Sequence, residues 1–208
     1  MMHLPPELAD LFAAFHKPYD IQLYLDSIPY VGEELNRCPL RLVRDRQAHC
    51  LDGGLLAAAA LAHLGFLPHI LDLVPEPGTD DDHVLAVFGQ PGGWGALAKS
   101  NYAGLRYREP VFRSLRELIM SYFDDFFNIE RQRTLRGYTR LLDLRPFDRY
   151  AWLTREDGVE RVVQRLYSLK VIPLLTPDRI AALTPVDERS FQAGTLGLNI
   201  DEVYKVKR

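Results

Sequence analysis

The sequence predicts an α+β fold in which a central alanine-rich helix packs against an antiparallel sheet. Three observations carry this expectation. The segment Cys50 to Leu64 reads CLDGGLLAAAALAHL, where four successive alanines between leucines favour helix and allow neighbours to approach closely. The stretch His83 to Lys99 is rich in β-formers and broken by Gln90-Pro-Gly-Gly93, the pattern of a hairpin. Helical segments stand first and last with the strands between them, and that order argues against βαβ alternation.

Residues 5–17 read as a first helix, entered through Pro5-Pro6 and stopped near Pro18. Residues 20–27 carry Ile21, Leu23, Tyr24 and Leu25, a second short helix ending before Pro29. A loop with Gly32, Asn36 and Pro39 follows, and Leu40 to Arg46 leads into the central helix. Nearly every position from Leu55 to Leu61 is apolar or small, so that helix is expected to be buried on most sides, with Gly65 as its stop. Residues 68–74, apolar and bounded by prolines, predict a strand; 75–80 predict a loop. Leu115, Leu118, Ile119, Tyr122, Phe123 and Phe126 fall at helical spacing and predict a helix over 111–127. Beyond it the pattern predicts a strand pair over 134–144, a helix over 156–168, and short helices over 177–183 and 186–193.

With 208 residues the chain is expected to form one domain that buries its own core. Its net charge of −3 gives no electrostatic case for nucleic acid, where a basic face would be needed. Basic residues gather only at Arg131 to Arg140 and Lys205 to Arg208, and both clusters read as solvated surface. The longest apolar run, Leu55 to Leu61, is too short to span a bilayer. Two cysteines, Cys38 and Cys50, and an N-terminus without a basic leader suggest a cytoplasmic protein with reduced thiols.

Cys50 opens the central helix, where unpaired N–H groups and the helix dipole favour an anion and hence a nucleophilic thiolate. His83, at the start of the next strand but one, is the partner expected to take and return a proton. The plainer reading is a buried structural cysteine.

The pattern Cys50-Leu-Asp52-Gly53-Gly54-Leu55, followed by Gly65-Phe-Leu-Pro68 and Asp81-Asp82-His83-Val84, resembles bacterial transglutaminase-like proteins. The stretches Trp94 to Asn101 and Leu105 to Pro110 also resemble a subgroup of such proteins without assigned function. The resemblance covers roughly 20–130, leaving 131–208 as an extension packed on that core. It implies a papain-like fold and a cysteine–histidine–aspartate triad for acyl transfer or amide hydrolysis on a peptide or other amide. The family's aspartate is missing: opposite His83 the sequence offers Ala98-Lys99-Ser100-Asn101. Asn101 is the favoured substitute orienter, with Ser100 second and Asp81 or Asp82 awkwardly close; a lysine there would repel an imidazolium. A domain that keeps the fold and binds or scaffolds without turnover is the alternative. Analogy with papain-like enzymes also suggests Gln47 as an oxyanion donor.

No cofactor or metal is expected. Asp80-Asp81-Asp82 lacks EF-hand spacing and reads as an exposed acidic turn. His49, His63, His69 and His83 lack paired zinc spacing, and His49 reads as a surface or cap residue. The aromatics Tyr122, Phe123, Phe126 and Phe127 read as core, and Arg106, Arg108, Arg113 and Arg116 as carboxylate or salt-bridge partners.

Overall fold

A computed structural model describes residues 4–204; the basic cluster Lys205 to Arg208 lies outside the described residues. Three short helices lead in: α1 (Pro6–Ala13), α2 (Pro18–Asp26) and α3 (Pro39–Asp45). Each has a proline in its first turn, where the missing N–H costs nothing. The sequence pattern gave α1 and α2 but not α3, whose seven residues PLRLVRD are too few to show a period.

The next helix, α4 (Cys50–His63), is the centre of the molecule, and every residue from Cys50 to Leu61 is buried. Small residues let it lie directly on the sheet. A methyl added at Gly53 would stand 2.3 Å from the Lys99 Cβ, and one at Gly54 would stand 2.9 Å from a Val84 methyl. Gly65, at φ +91°, turns the chain out of the helix in the left-handed region that side chains avoid.

Strands β1 (His69–Pro75), β2 (His83–Gln90), β3 (Gly93–Leu97), β4 (Arg108–Phe112), β5 (Leu135–Thr139), β6 (Leu142–Asp143) and β7 (Val171–Pro173) form one antiparallel sheet among the described residues. Its order is β4-β3-β2-β1-β5-β7, with β6 also pairing β1. The β2–β3 hairpin turns at Pro91-Gly92, with Gln90 opposite Gly93 and Ala86 opposite Leu97. Strands β5 and β6 do not pair with each other; both pair with β1. The region after residue 130 thus contributes three strands, β5, β6 and β7, to the sheet.

Strand alternation divides the core into two clusters. One face carries Ile70, Val84, Ala86 and Phe88 against α4, joined by Phe12, Leu25 and Leu42 from α1–α3. The helix α6 (Glu156–Tyr167) adds Val159, Val162 and Leu166 to the same cluster. The other face carries Leu71, Leu73, Leu85 and Val87 against Leu118, Ile119, Tyr122 and Phe126.

Those last residues were expected on one helix over 111–127. Only α5 (Leu115–Met120) is helical, and residues 108–112 are strand β4 instead. After Met120 the chain tightens into turns, with Tyr122 bonding to Ile119, Phe123 to Met120 and Asp125 to Tyr122, each three residues back. Arg108 takes the Ser121 carbonyl and hydroxyl at 3.1 and 3.0 Å, drawing that carbonyl out of the helical ladder. Helix α7 (Pro177–Ala181) falls within its expected range, and α8 (Glu188–Gly194) runs one residue past its own.

Candidate active site

A cleft of about 540 Å³ opens where α4 begins and β2 begins. Cys50, His83, Asp82, Tyr30, Tyr102 and Tyr167 are among its walls, and no lysine or arginine among the described residues lines it.

Cys50 is the first residue of α4, and its sulfur lies against the main chain of β2. The thiol donates to the Asp82 carbonyl at 3.8 Å, and the nearby Val84 N–H favours the anionic sulfur. His83 between them pairs instead with Leu73 of β1. Main-chain groups alternate across a strand, so the Asp82 and Val84 groups face the opposite edge of β2, where pairing with β3 stops at Leu97. The thiol fills the ladder position that β3 vacates.

The His83 side chain leaves β2 on the Leu85 and Val87 face, away from α4. Its Nε2 lies 2.8 Å from the Leu105 carbonyl, and the Phe126 ring stands edge-on to it at 6.5 Å. A carbonyl only accepts, so Nε2 carries the proton and Nδ1 holds the lone pair. Cys50 and His83 thus share the cleft, but among the described residues no hydrogen bond joins them.

Electrostatics keep both groups neutral at rest. Burial, and after it the charge of Asp82, pushes the Cys50 thiol well above its usual range. Burial brings the His83 imidazole down to about 4, with the nearby Arg108 adding to it against the Leu105 bond. The acidic run is exposed at Asp81, as expected from sequence, and half-buried at Asp80 and Asp82. Asp80 and Asp82 are each raised to about 6 by burial, Asp82 also by Asp81. Asp80 accepts the Thr134 hydroxyl at 2.6 Å, and the Tyr167 hydroxyl near Asp82 works against its rise. Among the described residues no three His, Cys, Asp or Glu side chains are set to hold a metal.

The proposed orienters of His83 serve elsewhere. Ser100 accepts the Tyr102 N–H at 3.0 Å, closing its own turn. Asn101 grips the main chain of Asn199, donating to its carbonyl and accepting its N–H, both at 2.9 Å. Continuing the hairpin register would set Ser100 opposite His83, but the chain diverges after Leu97. Lys99 turns away to the end of α2 and donates to the Leu25 carbonyl at 2.9 Å and to that of Ile28. Gln47 donates to Glu33 at 3.4 Å and is not among the cleft residues, which removes it from the oxyanion role.

His49 caps the N-terminus of α4, one of its two expected places, but is buried rather than on the surface, with Nε2 3.0 Å from the Leu35 carbonyl and 3.2 Å from Asp52. Asp52 accepts the Arg37 N–H at 2.7 Å and the His49 N–H at 3.4 Å, fixing the start of α4. The Arg37 guanidinium, itself buried, is held by Glu33, Asp45 and Asp52. Arg106 and Arg108 pair with Asp26 and Asp125.

Sequence reasoning missed three features of the site. The His83 partner is a main-chain carbonyl, which leaves no side-chain signature. Asp72 is buried, with one oxygen that has no partner, and burial and Asp82 raise it well above the carboxylate range. A lone acid in the apolar strand HILDLVP was its readable signal. Tyr167, ending α6, showed nothing that tied it to Asp82. No family model and no curated protein matches this chain.

Proposed function

We propose that the cleft performs cysteine-dependent acyl transfer or amide hydrolysis, with Cys50 as nucleophile and His83 as acid and base, in a papain-like chain of transglutaminase-like kind. The observation that carries this reading is the Leu105 carbonyl 2.8 Å from His83 Nε2. It does for the imidazole what a triad's third residue does: it fixes the tautomer with the basic nitrogen at Nδ1. A main-chain carbonyl thereby answers the missing aspartate. Because thiol and imidazole are both neutral at rest, the route is general-base attack rather than a preformed ion pair. The sulfur attacks the substrate carbonyl as its proton passes to Nδ1, the N–H groups of the first turn of α4 receive the oxyanion, and Nδ1–H is then given to the leaving amine. The free thiols of Cys38 and Cys50 suit a reducing compartment such as the cytoplasm. No described helix is long and apolar enough to cross a membrane.

The test is acylation by an activated ester, followed by intact mass. The expected adduct sits on Cys50, disappears in Cys50→Ala, and forms about 100-fold more slowly in His83→Ala. Equal acylation rates with and without the imidazole would sink this reading.

The second reading, a cleft that binds an amide or peptide without turnover, is favoured by the thiol proton being held on the Asp82 carbonyl. It predicts that amides and peptides raise the melting temperature of wild-type protein and of Cys50→Ala equally, with no adduct.

A further inference from the structure

The segment 199–204 lies across the rim of this cleft. Asp201, Glu202, Val203 and Tyr204 are among the residues that wall it, together with Cys50 and His83. Two opposite walls hold the segment. On one, the Asn101 amide pairs with both main-chain groups of Asn199 at 2.9 Å, imitating a rung of β-ladder, and reaches the Glu202 carbonyl at 3.5 Å. On the other, the Gly32 N–H donates to the Glu202 carboxylate at 2.6 Å. The close approach there depends on glycine, since a Cβ at Gly32 would come within 2.9 Å of the Glu202 carbonyl. Between the two latches runs the turn Ile200–Glu202, closed by the Asn199 side chain accepting the Asp201 N–H at 3.2 Å.

The nature of the fastening matters. No residue of that turn is buried, and Ile200 is 60% exposed. Val203 and Tyr204 are half-buried against the cleft, but most of the hydrogen bonds that hold the segment are solvent-exposed, so water competes for them. Beneath it Cys50 is only 6% exposed. A fastening of that kind over a buried thiol can open without disturbing the core.

We propose that 199–204 is an openable strap, latched by Asn101 and Glu202, that gates access to Cys50. As regulation of the same site it rests on the reading of Cys50 as the reactive group, yet access to a thiol is measurable without turnover. Opening breaks the Asn101–Asn199 pair and the Gly32–Glu202 bond and leaves α4 and β2 in place.

The experiment is iodoacetamide alkylation of the full-length protein, with modification read separately at Cys50 and Cys38 by peptide mass. Cys38, free and 2% exposed, with its thiol on Glu156 and outside the cleft lining, reports any general loosening. Asn101→Ala and Glu202→Ala are each expected to speed Cys50 alkylation about fivefold, the double variant more, and Glu202→Gln, which keeps the acceptor, far less. Cys38 is expected to stay at the wild-type rate in all of them. An unchanged Cys50 rate in the double variant, or a parallel rise at Cys38, would overturn the strap. Either outcome leaves the acylation test in Cys50→Ala and His83→Ala intact, so the two readings fail separately.

Discussion

The floor and the rim of the cleft are built from different forces. On the floor, α4 lies on β2 through alanines, glycines and leucines, with nothing between helix and sheet but side-chain carbon. On the rim, loops and the strap meet through hydrogen bonds, carboxylates and tyrosine hydroxyls, with water close by. Cys50 stands where the two regimes join. Its backbone belongs to the rigid part, while its sulfur answers to main-chain donors and buried acids. The contrast teaches that stability and reactivity are set here by neighbouring but separable groups, so that substitution can move one without the other.

The widest separation should appear in unfolding. Leu55, fully buried between helix and sheet, is expected to cost about 2–5 kcal/mol as Leu55→Ala in urea titration. Ile200→Ala on the strap should stay within about 0.5 kcal/mol. Comparable losses at both positions would erase the distinction.

Next in size is a pH effect with opposite signs on the two sides. His83 titrates near 4 when folded and near 6.5 when unfolded, so only the unfolded chain takes up its proton between those values. Its contribution is complete above about 6.5 and is lost as pH falls toward 4, by roughly 3 kcal/mol at most. Asp82, near 6 folded against 3.8 as a free side chain, runs the other way. The folded chain keeps that proton longer, and its contribution, complete at low pH, is lost as pH rises through 6. The two slopes oppose each other over the same window, so unfolding free energy measured from pH 4 to 6.5 should fall with rising pH in His83→Gln and rise with pH in Asp82→Asn.

Packing gives the third test. Gly53→Ala would press its methyl on Lys99, and about 1–3 kcal/mol of stability should be lost even though only one carbon is added. The smallest effect belongs to the rim alone. Asp82→Asn removes the neighbouring charge that most raises the Cys50 thiol, so the pH midpoint of Cys50 alkylation should move down.

What could be read from the sequence was whatever side-chain pattern records. The alanine run announced α4, Pro-Gly-Gly announced the hairpin, and a cysteine opening a buried helix announced the cleft. Residues whose role depends on main chain were silent. The Leu105 carbonyl holds His83 because of where a loop passes, and leucine as such says nothing of it. Asn101 was read as the partner of His83 because the hairpin register pointed to residues 99–101 and an amide oxygen can orient an imidazole; the chain leaves that register after Leu97, and the amide latches the strap. The spacing of Leu115 to Phe126 recorded burial on one side correctly but not helix, since successive tight turns can bring the same residues to one cluster. Strand β7, three residues long, has too little chain to show a period.

The sheet ends on β4 at one margin and β7 at the other, and each margin carries a proline, Pro110 and Pro173. Neither proline can donate an amide hydrogen to an incoming strand, and both margins are short. A second copy therefore finds little to zip onto, which should let this protein stand at high concentration without growing into ribbons.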